Sequence, residues 1–191
     1  MNYSNDINHL KLSKNITQDP KIFILNFRQD DPKKCTASKL LRHNLAIPLN
    51  NKSRIPRNSI VLNPFSKELF TPLDQNSLKK GLVGIDCSWK RTNEVFTKKL
   101  NGNNKRLPLL IPANPTNYGK VGVLSSVEAL SAALFISGFN DLSLKILNIF
   151  KWGPHFLQLN KNALEDYANS SNEIEMKDIE KSYFGQLFSS N

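Results

Sequence analysis

The chain lacks the features that mark disulfide-rich, metal-binding or membrane proteins. It has two cysteines in 191 residues, Cys35 and Cys87, which are too few for a disulfide framework and match no metal-ligand spacing. No apolar run approaches the ~20 residues of a membrane-spanning helix, and the first residues lack the order of a signal peptide. We therefore expect a cytoplasmic protein with reduced thiols and no metal.

Acidic residues are scarce in the middle of the chain. Between Lys33 and Lys120 there are 17 Lys or Arg and 4 acidic residues, so this stretch carries a net charge of +13. From Val121 onward there are 5 basic and 8 acidic residues, a net charge of −3. A surplus of positive charge favours a polyanionic partner, because contacts with phosphates release counterions.

A solvated lysine-rich surface or a contact with an acidic membrane would also account for this charge. No long amphipathic basic helix accompanies the charge, which disfavours the membrane. Many basic residues occur as adjacent pairs beside the loops that we assign to a ligand below, which favours RNA over a merely solvated surface. We predict RNA contacts for six of them, Lys33, Lys34, Lys90, Arg91, Lys105 and Arg106.

Short apolar runs that end at polar turns predict an α/β fold. Four runs have the length and composition of buried strands, at residues 21–27, 59–62, 82–85 and 107–111. A first helix is predicted to begin near Thr36, a favourable N-cap residue.

Helices dominate the second half of the predicted fold. Ser125 and Glu128 fit a capping box at the start of a helix that runs to Gly138. Asn140 or Asp141 is predicted to cap the next helix, whose apolar residues lie on one face.

Composition along the chain also predicts its domains. The polar residues 1–20 predict a mobile tail, and the Asn- and Gly-rich turn at 101–104 marks a boundary. We expect an amino-terminal basic α/β domain over residues 21–103 and a carboxyl-terminal domain over residues 104–191. Residues 169–174 are predicted to form a linker into a terminal helix.

Two segments lead from an apolar run directly into a polar loop. The first is Gly84-Ile85-Asp86-Cys87-Ser88-Trp89, and the second runs from Leu107 through Asn114-Pro115-Thr116-Asn117-Tyr118-Gly119. Ligands of open α/β sheets bind at the carboxyl ends of the strands. The two loops are therefore the predicted site.

These two segments resemble those of the small-subunit ribosomal RNA aminocarboxypropyltransferase family. Three further blocks are similar to family segments and occur in the same order, at residues 31–40, 124–130 and 150–153. The five blocks span roughly residues 21 to 168, and their order and spacing make the resemblance specific.

The resemblance implies an enzyme of ribosome biogenesis. Such enzymes transfer the 3-amino-3-carboxypropyl arm of S-adenosylmethionine to a hypermodified pyrimidine and release 5′-methylthioadenosine. The resemblance also implies that the carboxyl-terminal domain has a deep trefoil knot like that of the SPOUT methyltransferases. The expected partner is small-subunit ribosomal RNA or a pre-ribosomal subunit, and we expect a monomer.

The resemblance further implies which residues contact the cofactor. Thr36 would hold the amino-acid arm or the ribose, Ile85 the ribose through its backbone, and Leu107 the adenine. Ser126 would bind the tail carboxylate at a helix start, although it and Thr36 could also serve only as helix caps. The full set of expected cofactor contacts is Thr36, Ile85, Trp89, Leu107, Tyr118, Gly122 and Ser126.

Trp89 and Asp86 are the residues with the most specific expected chemistry. The indole of Trp89 could cover the methyl group and leave the γ-carbon of the arm open, and its electron-rich face suits a sulfonium cation. Asp86 could act as a general base or orient the ring N–H of the substrate. A core tryptophan and an aspartate that caps the next helix are the structural alternatives.

The chain departs from the common family pattern at three places. It has Ala37 after Thr36, Gly122 where many relatives carry an aromatic residue, and Ile111-Pro112 in place of two small residues. Two other functions stay open at this point, a SPOUT-type RNA methyltransferase and a non-catalytic ribosome-assembly factor that binds RNA.

Overall fold

The protein is built around a parallel five-stranded sheet, seen in a computed structural model that describes residues 18–27, 35–96 and 100–187. The strand order is β2-β1-β4-β3-β5, and every pairing is parallel. The strands are β1 Ile22–Asn26, β2 Ile47–Leu49, β3 Ile60–Leu62, β4 Leu82–Asp86 and β5 Asn103–Lys105. The predicted α/β class is confirmed, whereas the predicted tail largely lies outside the described residues.

Helices surround the sheet and make up the second half of the described chain. The α-helices are α1 Thr36–Arg42, α2 Gln75–Leu78, α3 Thr92–Phe96, α4 Ser126–Ile136, α5 Asn140–Leu147, α6 Gly153–Leu159, α7 Lys161–Asn169 and α8 Glu173–Phe184. Short 3-10 helices cover Lys52–Arg54, Pro72–Asp74, Trp89–Arg91 and Gly185–Leu187. None of the described helices is long and apolar enough to span a membrane.

Both faces of the sheet are buried, as a parallel sheet requires. Successive side chains of a strand point to opposite faces. In β3 the outer residues Ile60 and Leu62 belong to the larger apolar cluster, and Val61 between them belongs to a smaller one. In β4 Leu82 and Val83 are divided between the two clusters in the same way.

The larger cluster takes residues from both predicted domains. It extends from β1 through α8 and includes many buried side chains of α4. The predicted boundary between residues 103 and 104 falls within β5. The division into two domains stays a prediction.

Three of the predicted strands are confirmed, and two strands were not predicted. Strand β2 is three residues long and contains Pro48, and it pairs with β1 on one side only. Strand β5 is the polar edge strand Asn-Asn-Lys, where the sequence predicted a turn. A three-residue strand at the edge of a sheet shows no alternation of apolar and polar residues, so the sequence pattern did not distinguish these strands from loops.

The predicted strand at residues 107–111 is wrong. This apolar segment has no neighbouring strand among the described residues, and Pro108 and Pro112 have no amide hydrogen to offer one. Its backbone is satisfied by buried side chains instead. The Leu109 amide donates to Glu180 Oε1 at 2.8 Å, and the Ile111 amide donates to Asn160 Oδ1 at 2.8 Å.

Helix α4 begins at the predicted capping box, which is confirmed. The Glu128 carboxylate accepts from the amide of Ser125 at 2.8 Å and from its hydroxyl at 2.6 Å. It also accepts from the amides of Ala113 and Asn114 at 2.7 and 2.9 Å and from Asn114 Nδ2 at 2.7 Å. Glu128 thus ties the loop after residue 112 to the start of α4.

Close contact between α4 and the sheet depends on Gly84 in β4. A Cβ atom placed there would lie 3.3 Å from the side chain of Leu130 of α4, so a larger residue would push the helix away. The start of α4 therefore lies close to the carboxyl end of β4.

The remaining helix predictions are largely confirmed. Helix α4 ends at Ile136, close to the predicted Gly138, and a terminal helix, α8, is present, although it begins at Glu173, inside the predicted linker 169–174. The predicted cap of α5 is wrong, because Phe139 occupies the N-cap position and Asn140 is already helical.

Replacement of Glu128 tests the tie between this loop and α4. The Glu128 carboxylate accepts five hydrogen bonds. In Glu128→Gln the side-chain NH₂ group faces at least one of these donors, so that buried donor loses its acceptor. We expect the free energy of unfolding, measured with urea, to fall by about 2–4 kcal/mol. The matched control is Glu175→Gln, because Glu175 also accepts from a backbone amide, that of Ser171, but is exposed. An equal loss in both variants would contradict this role of Glu128.

Candidate functional site

A cavity of about 930 Å³ lies at the carboxyl ends of β3 and β4. Its walls come from the loop after β4, the segment from Arg106 to Asn117, and the starts of α1 and α4. Its size and its mixture of apolar walls with a few polar groups are those of a small-molecule site. Both predicted loops border this cavity, because the strands are parallel and end on the same edge of the sheet.

Most of the residues predicted to contact a cofactor line this cavity. The structure brings together Thr36, Ile85, Asp86, Trp89, Leu107, Gly122 and Ser126. Tyr118 is not among the lining residues. Its side chain is 60% exposed, and its ring stacks on that of His155 with 6.4 Å between the centroids. The individual roles of these residues stay predictions.

Asp86 is a buried carboxylate at the end of β4. Its Oδ1 accepts from the Ser126 hydroxyl at 2.7 Å, and its Oδ2 accepts from the Cys35 thiol at 3.0 Å. Burial, together with the hydrogen bond to Asp86, raises the pKa of the Cys35 thiol. The carboxylate therefore joins the end of β4 to the starts of α1 and α4.

The cap of α1 is Cys35, and the prediction that Thr36 caps this helix is wrong. The Cys35 sulfur accepts from the amide of Ser38 at 3.2 Å, and Thr36 is the first helical residue. Thr36 lines the cavity, and the capping role belongs to its neighbour.

Trp89 stands at the rim of the cavity, at the start of the 3-10 helix after β4. Its Nε1 donates to the carbonyl oxygen of Leu124 at 3.0 Å. The indole is 38% exposed, so it is a wall of the cavity and not a residue of the core. The hydrogen bond fixes the ring against the loop that precedes α4.

The loop between residues 117 and 124 reaches the cavity through Gly122. This residue has a φ of +79°, which favours glycine. Its amide donates to the Leu110 carbonyl at 2.9 Å. A Cβ atom at this position would lie 3.2 Å from Leu109, so the backbone of this loop packs directly on the segment that replaces the predicted strand.

The six predicted RNA contacts occupy different environments. Lys33 and Lys34 lie outside the described residues. Lys90 is exposed at the mouth of the cavity, and Arg91 beside it is also exposed and pairs with Glu94 at 2.8 Å.

Lys105 and Arg106 are held by ion pairs within the fold. The Lys105 ammonium lies 3.2 Å from Glu68 and 3.3 Å from Asp74. Burial acts against the charge of Lys105, but these two carboxylates outweigh it and raise the pKa of the lysine. Arg106 forms two hydrogen bonds with Glu180, at 2.9 and 3.1 Å, and Glu180 is 3% exposed.

Sequence reasoning missed three residues that build the site. The thiol of Cys35 gave no signal, because a lone cysteine before a helix is ordinarily incidental. Glu128 was recognised only as a cap, although it also holds Asn114. Glu180 lies more than seventy positions from Arg106 and Leu109, and only tertiary contact reveals it.

The fold and the cavity define a class of protein. The molecule is an α/β protein with a small-molecule site at the carboxyl edge of a parallel sheet. Exposed basic residues lie at the mouth of that site, and a buried carboxylate lies inside it.

Comparison with known proteins identifies the family within this class. Residues 60–184 match the family model described as ribosome biogenesis protein, C-terminal. The 16S rRNA aminocarboxypropyltransferase of Methanothermobacter thermautotrophicus is 41% identical over 86% of this chain and 99% of its own length. The one from Vulcanisaeta distributa is 47% identical over 78% of this chain and 82% of its own length. The chain belongs to the 16S rRNA aminocarboxypropyltransferase family.

A solved structure agrees with this assignment. The SAM-dependent rRNA:acp-transferase Tsr3 from Vulcanisaeta distributa superposes with a TM-score of 0.78 at 40% identity, over 91% of this chain and 100% of that one. Residues 20–54 also match a model described as a possible Fer4-like domain in RNase L inhibitor. That range contains a single cysteine, Cys35, whereas an iron–sulfur cluster is held by four ligands.

Replacement of Arg106 tests whether its ion pair with Glu180 stabilises the fold. We expect Arg106→Gln to lower the free energy of unfolding by about 2–4 kcal/mol, because it leaves the buried Glu180 without its charged partner. Arg91→Gln is the matched control, since its pair with Glu94 is exposed and such pairs contribute little. Urea denaturation of both variants makes the comparison, and an unaltered Arg106→Gln protein would rule out the structural role.

Proposed function

We propose that this protein transfers the 3-amino-3-carboxypropyl group of S-adenosylmethionine to a hypermodified uridine or pseudouridine of small-subunit ribosomal RNA. The reaction releases 5′-methylthioadenosine and belongs to ribosome biogenesis. The observation that carries the proposal is the convergence of Asp86, Trp89 and Ser126 on one cavity in a member of this family. The expected setting is the cytoplasm, and the expected active form is a monomer.

The residues of the cavity fit S-adenosylmethionine. Leu107 and Leu109 offer apolar walls for an adenine, and Ile85 lines the cavity at the end of β4. The indole of Trp89 suits a sulfonium cation. Ser126 also lines the cavity, and the start of α4, where it lies, favours the carboxylate of the amino-acid tail.

Asp86 is the residue that we assign to the substrate. S-adenosylmethionine supplies a carbon activated by the neighbouring sulfonium, and the new bond forms to a ring nitrogen of the base. That nitrogen must lose its proton, and the Asp86 carboxylate is a buried acceptor that lines this cavity. Assistance of this kind contributes ~10²-fold or more. The hydrogen bonds from Cys35 and Ser126 hold the acceptor in place.

Trp89 is the residue that we assign to the choice of transferred group. Three carbons are bonded to the sulfur of the cofactor, and orientation decides which of them meets the nucleophile. The Trp89 ring, fixed by its bond to Leu124, would cover the methyl group. Family membership and the position of the indole on the wall support this role.

We also propose which residues bind RNA and that the carboxyl-terminal part is knotted. Lys90 lines the cavity, Arg91 follows it, and both side chains are exposed, so we assign phosphate contacts to them, with Lys33 and Lys34 as further candidates. Lys105 and Arg106 would act mainly by supporting the segment that begins at Leu107 and lines the cavity. The family resemblance supports a SPOUT-like trefoil knot in the carboxyl-terminal part, which a crystal structure traced from end to end would test.

The mass of the modified nucleoside tests the reaction. Small-subunit ribosomal RNA incubated with the protein and S-adenosylmethionine should yield a nucleoside heavier by about 101 Da. A gain of about 14 Da would mean methyl transfer, and RNA binding without any gain would mean an assembly factor. In Trp89→Ala the share of methylated product should rise, whereas Trp89→Phe keeps a ring and should retain the selectivity.

Salt dependence tests the RNA face. If phosphates are bound by Lys90 and Arg91, replacement of both by Gln should weaken RNA binding. It should also flatten the plot of log affinity against log salt by roughly 0.7–0.9 for each lost contact. The matched control replaces Lys161 and Lys177, which lie in the acidic half, and should leave the slope unchanged. Equal slopes in both double variants and the parent would place the RNA elsewhere.

A further inference from the structure

The thiol of Cys35 has its hydrogen-bonding capacity fixed by its neighbours. Its sulfur accepts from the amide of Ser38 at 3.2 Å and lies 4.0 Å from Nδ2 of Asn26. Both neighbours are donors, so the single S–H proton is directed at the remaining partner, Oδ2 of Asp86, at 3.0 Å. Cys35 is 8% exposed, which leaves water little access to this bond.

Asp86 is therefore held from two sides by donors on different elements. Cys35 precedes α1 and contacts Oδ2, and Ser126 begins α4 and contacts Oδ1 at 2.7 Å. A carboxylate has about four lone-pair positions. One donor on each oxygen sets the plane of the group and still leaves acceptor capacity for a substrate N–H.

We infer that Cys35 is a positioning residue for the reaction, which acts by donating its S–H proton to Asp86. The inference rests on the proposed function, in which Asp86 accepts the proton of the substrate base. A catalytic acceptor must lie within hydrogen-bond reach of that proton in the correct orientation. Loss of the thiol leaves the carboxylate with one fixed oxygen and freedom to rotate about it.

The surroundings of Cys35 keep this donor protonated. Burial first, and then the bond to Asp86, raises the pKa of the Cys35 thiol, so the S–H proton is retained at neutral pH and is lost only well into the alkaline range. The other titratable or cationic groups on the same cavity wall are Lys39, Cys87, Lys90 and Arg106. Of these, Lys39 donates to the Ile149 carbonyl and Arg106 to Glu180.

Infrared spectroscopy tests the hydrogen bond without any assay of activity. The S–H stretching band lies in a region free of other protein bands, and it moves to lower frequency when the thiol donates. In a Cys87→Ser background the remaining band belongs to Cys35. We expect Asp86→Ala to shift this band to higher frequency, whereas Ser126→Ala, which leaves the Cys35 partner in place, should move it much less. An unchanged band in Asp86→Ala would overturn the inference.

Kinetics test the positioning role. We expect Cys35→Ala to lower kcat for aminocarboxypropyl transfer about tenfold, a part of the ~10²-fold or greater contribution of an acid–base group. The calorimetric Kd for S-adenosylmethionine should change less than about twofold. Cys35→Ser should recover most of the lost rate, because a hydroxyl also caps α1 and also donates.

The outcomes separate this inference from its alternatives. A Cys35→Ala protein that loses stability but keeps the parent kcat would show that Cys35 only caps α1, and the inference would be wrong. If Cys35→Ala does not fold, the inference requires two other results: the infrared shift in Asp86→Ala and a kcat of Cys35→Ser close to that of the parent. A kcat of Cys35→Ser as low as that of Asp86→Ala would overturn the inference. Absence of transfer by the parent would refute the proposed function and the positioning role together, while the infrared band would still decide whether the bond exists.

Discussion

The wall of the cavity depends on hydrogen bonds to the backbone of an apolar segment that pairs with no strand. Residues 107–114 follow β5 and are paired with none of the described strands, and buried amides without partners would cost about 1–3 kcal/mol each. Side chains from the helices remove that cost, because they accept hydrogen bonds from these amides. Glu180 accepts from Leu109, Asn160 both accepts from and donates to Ile111, and Glu128 accepts from Ala113 and Asn114. Since three different helices or helix ends supply these groups, the wall of the cavity and the packing of the helices depend on each other.

Hydrogen bonds between distant elements also fix the part of the cavity wall that follows β4. Asp86 ends β4 and receives donors from the starts of α1 and α4, so three elements distant in sequence meet at one carboxylate. Trp89 follows a few residues later and is anchored to Leu124, just before α4. A proposed acceptor and a proposed aromatic wall are thus both fixed relative to one helix. This arrangement is the kind of preorganisation on which positioning and electrostatic catalysis rely.

Electrostatics in the basic stretch serve two different purposes. Lys105 and Arg106 neutralise carboxylates from distant parts of the fold, and Arg106 brings Glu180 into reach of the Leu109 amide. Their charge belongs to the architecture of the cavity. Lys90 and Arg91 are exposed nearby, and their field extends into solvent. The position of a cation in the fold, and not the net charge of the stretch, therefore decides whether it is available to a polyanion.

The α/β class, three of the five strands and the capping box of α4 could be predicted from sequence, because a buried strand and a helix start each have a signature within a few residues. The expected cofactor contacts came from the family resemblance, and all of them except Tyr118 line the cavity. Contacts in the folded chain, by contrast, determine that residues 107–111 are not a strand, that Cys35 and not Thr36 caps α1, and that Arg106 pairs with Glu180. The unpaired segment and the ion pair depend on which distant group fills a hydrogen-bonding position. A local pattern carries no information about such a partner, which for Arg106 lies 74 residues away.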